Sequence, residues 1–420
     1  MDCTQRLLKY VVIRTPSDEE STSVPSSACQ FELAWQLHRE LFTMGITDVK
    51  VDTDCYLYAH IPPTPGYEQC PKIGFIAHLD TVSDFCDHRI TPVIHEDYNG
   101  RELPLGDSGR VLSPEMFPHL KDLAGRTLIT GDGTTILGAD DKAGVAEIMT
   151  MAERILEEEI PHGPVSIAFT PDEEIGMGAS HFNLEAFGAD FAYTVDGDTE
   201  GEIQYENFNA CKAEFVIRGV NVHPGSAKDI MVNAALVASE INSMLPAGET
   251  PRDTEGYEGF YHLTDMHGDV AEAVIRYIIR DHSAEHFAER KEVLRRIEKE
   301  LNKKYGRGTV SLTLTDQYLN MSEIISGCMH LIHNTEEACR RCGVTPLILP
   351  IRGGTDGAQL SFKGLPCPNL GTGGHGYHGP YEHITSEGME AACSVLLELV
   401  KLYANGCPRP AAELPDPAAQ

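Results

Sequence analysis

Five short stretches of this sequence place histidine or carboxylate side chains where they could hold a metal ion. His78-Leu79-Asp80 closes the apolar run IGFIA. The two-residue period of a strand puts His78 and Asp80 on the same side of the chain, and a carboxylate beside an imidazole can orient it as a metal ligand. Asp140-Asp141 lies between ILGA and a helix expected to begin near Lys142; the plain reading of an aspartate there is a helix N-cap. Glu173-Glu174, in PDEEIGMGAS, follows the run SIAFT. Adjacent buried carboxylates repel, so such a pair belongs in solvent unless a cation neutralises it. Asp196 ends FAYTV in VDGD, and His378 lies far downstream in GGHGYHGPYE.

The first four stretches read as the C-terminal ends of strands, and in open α/β sheets that edge is where ligands bind. Two histidines with several carboxylates form a hard-to-borderline donor set. It suits zinc, with manganese or cobalt as substitutes, and the donors are numerous enough for two ions.

The elements that must position these residues alternate. A helical stretch over 26–44 ends at Gly45, and VKVD, CYLYAHI, IGFIAHLD and TLIT read as strands. A helix over about 142–158, the strand SIAFT, a further helical stretch and the strand FAYTV follow. That alternation predicts a mainly parallel sheet covered on both faces. Near residue 209 the pattern changes. CKAEFVIRG, a helix at 227–244, FYHLTDM, AVIRYIIRD, a charged helix at 284–304 and TVSLTLTDQ give βαββαβ, the ferredoxin-like order. A helix over 322–341 then resumes the α/β style. The expected organisation is an α/β catalytic domain from 1–208 and 318–405, an inserted α+β domain at 209–317, and a flexible Pro-rich tail at 406–420.

A chain of 420 residues is long enough for two cores. Its 33 lysines and arginines against 64 acids, net charge −31, argue against nucleic acid and anionic membrane as partners. No apolar run approaches a membrane span, and MDCTQRLLKYVVIRTPSDEE does not read as a signal peptide. A cytoplasmic protein is therefore expected, its 12 cysteines mostly reduced and buried. Two local patterns are declined. Cys339 and Cys342 have CxxC spacing without a second such pair. Gly371 to Gly376 spells GxGxxG, but Pro380 and the local glycines oppose the helix that a dinucleotide site requires.

HLDT, GADDKAG, PDEEIGMG, VDGD, NVHPG, IRGGTDGAQLSFKGLP and the late YHG together resemble the di-zinc metallopeptidase family that contains tripeptide aminopeptidases, aminoacylases and carboxypeptidases. NVHPG and the long IRGG run make the tripeptide aminopeptidase branch the nearer match, from near the N-terminus to about residue 403. The resemblance implies a zinc-exopeptidase-like fold with a ferredoxin-like lid, and two zinc ions per chain. His78 and Asp196 would hold one zinc, Glu174 and His378 the other, with Asp140 bridging. Asp80 would orient His78, Glu173 would be the general base, and the Asp140–Asp141 peptide bond would be cis. In the insertion, His223 would donate to the oxyanion, Arg280 and Arg352 would bind the substrate carboxylate, and Asn233 would line the same site. The implied partners are short peptides, above all tripeptides, and a second copy of the chain through the lid. An N-acyl amino acid amidase, a carboxypeptidase, or a non-catalytic metal-binding scaffold would share these motifs. His375, three residues before His378, has no account in the sequence.

Overall fold

The computed structural model describes residues 1–406; the expected tail, apart from Gly406, lies outside the described residues. Chain contacts divide it into two units, one made of Met1–Tyr205, Ile324–Leu349 and the chain from Thr355 on, the other of Glu206–Glu323 with Pro350–Gly354.

The first unit is built on an eight-stranded sheet. Its strands run in the order Val49–Val51, Leu57–Ile61, Val165–Thr170, Ile73–His78, Phe191–Gly197, Asn369–Gly371, Glu202–Gln204, Leu347–Ile348. The centre, from Val165–Thr170 to Asn369–Gly371, is parallel, while antiparallel pairs flank it. Every residue of Ile73–His78 and Val165–Thr170 is buried. Such near-continuous apolar runs are what strands covered on both faces require. Helices Cys3–Tyr10, Ala139–Glu157 and Ser386–Asn405 pack together, and Ala139–Glu157 also lies on the central strands. Its approach depends on Gly144, where a Cβ would stand 1.8 Å from the Val195 carbonyl oxygen. Only a residue without a side chain lets this helix start beside Asp196.

TLIT is a strand, as expected, but it joins a separate four-stranded sheet ordered Gly374–His375, His383–Thr385, Leu128–Thr130, Val93–His95. The stretch before Asp140 forms no strand. Asp140 is delivered by the start of the helix, where Asp140 and Asp141 have non-helical angles. The helix expected at 26–44 begins at Gln30 and ends at Gly45, whose φ of +97° suits glycine. The single helix expected at 322–341 is two, Ser322–Ile325 and His330–Arg341.

The second unit has the expected βαββαβ order, with strands arranged Phe260–Gly268, Glu272–Asp281, Asn209–Arg218, Val310–Tyr318, all antiparallel. Helices Ala234–Ser243 and Ala284–Tyr305 bury their apolar faces on it around Phe215, Ile275, Tyr277 and Leu294. The first of these begins later than the helix expected from 227, because Asn233 caps it by accepting from the Leu236 N–H. Among the described residues no helix is long and apolar enough to cross a membrane.

Candidate metal centre

The carboxyl ends of three central strands and the start of the Ala139–Glu157 helix bring His78, Asp140, Glu174 and Asp196 together. The His78 ring turns Nδ1 toward acceptors only, the Asp80 carbonyl at 3.0 Å and Asp80 Oδ1 at 3.4 Å. That side therefore carries the proton. Nε2 faces Asp140 Oδ1 at 2.9 Å and Asp196 Oδ1 at 3.4 Å. On the other face of Asp140, Oδ2 lies 3.1 Å from His378 Nε2, which is also 3.0 Å from Glu174 Oε2. One carboxylate thus meets two histidines, one through each oxygen, and each histidine has a second acid beside it.

Asp80 is completely buried, and its two oxygens accept the N–H groups of Glu173 and Glu174 at 3.0 and 3.2 Å. It fixes the turn that presents both glutamates. Glu174 Oε1 accepts from the Val82 N–H at 3.1 Å. Asp141 also lies within ligand range of His78 and Asp196. Its oxygens are already used, one accepting from the His78 N–H at 3.0 Å and the other from Gly144 N–H at 3.1 Å. The N-cap reading thus falls on Asp141, which leaves Asp140 to face the site. The Asp140–Asp141 peptide bond is cis.

Two further acids were missed by sequence reasoning. Buried Glu382 accepts from the N–H groups of Leu137, Gly138 and Asp140 at 2.7, 2.8 and 3.0 Å, and so holds the segment that delivers Asp140. Buried Asp356 accepts from the Thr170 hydroxyl at 2.9 Å, at the end of the strand that leads to Glu173. Glu382 is a lone acid in a loop and Asp356 the first residue of the helix Asp356–Phe362, and neither falls in a spacing that marks chemistry.

The electrostatics fit a site for cations. Burial, then the neighbouring Asp196, raises Glu173 well above the usual carboxylate range. Burial pushes Asp196 and Glu174 up to about 7 each. Hydrogen bonding of its ring N–H to the Asp140 and Glu174 carboxylates carries the half-exposed His378 to about 11. Burial opposes the charging of His78, but Asp196, Asp140 and Asp80 outweigh it and raise that ring. Without a cation the cluster must gather protons to offset its negative charge. Bound dications replace those protons, which is the chemistry expected of this donor set.

The remaining expected residues lie in the second unit. His223 is exposed, with Nδ1 accepting from the Gly225 N–H. Asn233 caps the Ala234–Ser243 helix. Arg280 stacks on Tyr318 and donates to Gln317 and the Ile279 carbonyl, with no carboxylate partner among the described residues. Arg352 lies over Phe208 and Phe260 and donates to Thr254, Gly256 and Glu258. Burial raises Cys339 to about 12 and lifts Cys342 as well, which keeps both thiols protonated and unreactive. The 11 described cysteines are all free.

A mixed sheet with a parallel centre, an inserted α+β unit and a cluster of histidines and carboxylates at the strand ends fit a metallopeptidase. The chain matches the family model described as peptidase dimerisation domain over residues 205–309, and the model described as M42 glutamyl aminopeptidase over residues 123–222. It is 52% identical over 402 residues to Peptidase T of Clostridium perfringens, covering 96% of this chain and 98% of that one. To Peptidase T of Alkaliphilus oremlandii it is 50% identical over 404 residues, covering 96% and 99%. The chain belongs to the peptidase T family. Its fold resembles the crystal structure of aminopeptidase PepT from Bacillus cereus, with a TM-score of 0.76, 22% identity and coverage of 96% and 98%.

Proposed function

We propose that this chain is a di-zinc aminopeptidase that releases the N-terminal residue from tripeptides. The observation that carries the reading is Asp140, whose two oxygens meet His78 and His378 separately, each with its own second acid. In this reading His78 and Asp196 hold one cation, Glu174 and His378 the other, and Asp140 lies between. Zinc is the proposed metal because imidazole and carboxylate donors suit it, with cobalt or manganese as substitutes. Two such cations, when bound, supply Lewis acidity to the peptide carbonyl and lower the pKa of a water toward neutrality.

The chain's own residues supply the rest. Glu173 stands beside Glu174 with its peptide N–H held by Asp80, and no protein donor engages its side chain among the described residues. It is free to take the proton of the attacking water and return it to the leaving amine. Its carboxyl, raised by burial and the neighbouring Asp196, is suited to holding a proton. Arg280, a half-buried guanidinium without an acidic partner among the described residues, suits the C-terminal carboxylate of a short peptide. Arg352 is the weaker candidate, because its guanidinium is engaged by the 254–258 segment. The remaining proposed roles are His223 as oxyanion donor, Asn233 as site lining, 209–317 as lid and dimer interface, and a cytoplasmic location.

The test is product analysis on di-, tri- and tetrapeptides and on an N-acetylated tripeptide, with zinc, cobalt and manganese. Release of the N-terminal residue from the free tripeptide is expected, and equal rates on the acetylated form would sink the aminopeptidase assignment. Glu173→Ala is expected to lower kcat about 10²–10⁴-fold while both cations stay bound; unchanged turnover would remove Glu173 as the base.

A further inference from the structure

The hairpin that carries His378 has a feature the chemistry above does not use. His375 and His383 are register partners on its two strands, so their side chains share one face. His378 and Glu382 lie in the connection between those strands. His119, in the Pro118–Lys121 turn, meets both partners. Its ring centre is 4.0 Å from that of His375, with the planes at 31°. Its Nε2 is 2.8 Å from His383 Nε2, and those two rings are within 7° of parallel with centres 5.1 Å apart. A gap of 2.8 Å between nitrogens on rings 5.1 Å apart leaves about one ring radius at each end. The rings therefore meet edge to edge through one shared proton. A metal in line between two imidazoles would need about 4 Å, so the gap fits a proton and not a metal ion.

The direction of that bond follows from its partners. His383 Nδ1 faces the Tyr381 carbonyl at 2.7 Å and must donate to it, which leaves Nε2 as acceptor. His119 Nε2–H is the donor. Burial and the neighbouring imidazoles keep the cluster neutral, with His375 pushed down to about 3, His383 to about 4 and His119 lowered. The charged groups facing it are Arg126, which opposes protonation of His375, and Asp122, which favours it at His119. Phe117 closes the side of His383, edge-on at 5.6 Å. Strand His383–Thr385 is anchored along Leu128–Thr130, whereas Gly374–His375 pairs over two residues with its hairpin partner and is tied at its entry, where the Thr372 and Gly373 N–H groups donate to the Gly197 and Asp198 carbonyls. His119 thus joins one strand of the hairpin by a hydrogen bond and the other by ring contact.

We propose that His119 is a positioning residue for His378: it closes the mouth of the hairpin, and so sets how tightly the position formed by His378, Glu174 and Asp140 holds its cation. The inference rests on the two-cation reading above. His119→Phe keeps the stacking ring and deletes the donor, while His119→Gln keeps a donor toward His383. From the other partner, His383→Gln retains an acceptor and His383→Phe does not. Zinc per chain is measured against graded chelator, beside kcat, KM and thermal unfolding. For both Phe variants one of the two ions should be lost about tenfold more readily, as when a support behind a metal ligand is removed. Excess zinc should restore kcat, KM should stay within twofold, and the Gln variants should stay within threefold of wild type. Wild-type zinc retention by both Phe variants, or equal loss in the Gln and Phe variants, overturns the proposal. A wild-type chain that never holds two ions refutes the two-cation reading itself, and this inference with it.

Discussion

Glu382→Gln tests whether the protein holds Asp140 through its backbone. The substitution keeps size and shape. The amide oxygen can still accept from Leu137 and Gly138, whose N–H groups share one carboxylate oxygen. The amide nitrogen must then turn toward the Asp140 N–H, donor against donor. One charge-assisted hydrogen bond is lost, on the order of 1.5–3 kcal/mol, and two more weaken to neutral strength, so about 3 kcal/mol in total is expected. Burial, against the pull of the backbone N–H groups, pushes the Glu382 carboxyl up to about 7. The comparison is therefore made near pH 8.5, roughly one and a half units above that value, where the wild-type group is ionised. In urea the metal-free variant should unfold about 1 M earlier than wild type. Its zinc affinity should fall about 10–100-fold, because Asp140 faces both histidines. An unchanged urea midpoint together with unchanged zinc affinity would show that the three hydrogen bonds do not position Asp140.

Three further outcomes follow from the geometry. Gly144→Ala drives a methyl group into the Val195 carbonyl oxygen and to 2.5 Å from Asp141 Oδ1; a loss of about 3 kcal/mol or failure to fold is expected, read by calorimetry and soluble yield. Asp80→Asn can accept from only one of the Glu173 and Glu174 N–H groups; kcat should fall about 10–100-fold at unchanged secondary structure by circular dichroism. The neutral histidine cluster makes the fold acid-sensitive. A histidine free at about 6.5 unfolded but held near 4 when folded favours the folded state fully above 6.5, and that contribution is lost as pH falls toward 4. For His383 the loss is on the order of 3 kcal/mol, so His383→Phe should flatten the fall in Tm between about pH 6.5 and pH 4.

Much of the site was legible because its residues obey local periods. His78 and Asp80 sit two apart, and although the strand ends at His78, Asp80 still lies behind the candidate ligand His78 and under the turn that carries both glutamates. Glu173 and Glu174 declared themselves by adjacency, since two neighbouring acids after an apolar strand need a cation or water. The βαββαβ insertion was equally plain, because each of its elements carries its own period. The supporting acids were not legible. Glu382 acts on residues 137–140 across some 240 positions of chain, and its partners are backbone N–H groups that no sequence pattern records.

The sequence alone determined which side chains could bind metal, because donor type and strand or helix period are properties of a few consecutive residues. Tertiary structure decided how they meet. Asp140 arrives from a helix start rather than a strand end, since Gly144 lets that helix touch the Val195 backbone. Asp141 takes the capping bonds and frees Asp140 to meet both histidines. His375, unexplained in the sequence, acquires a role only when a turn more than 250 residues earlier lays His119 across it. Contacts of that kind depend on three-dimensional closure, which no local pattern encodes.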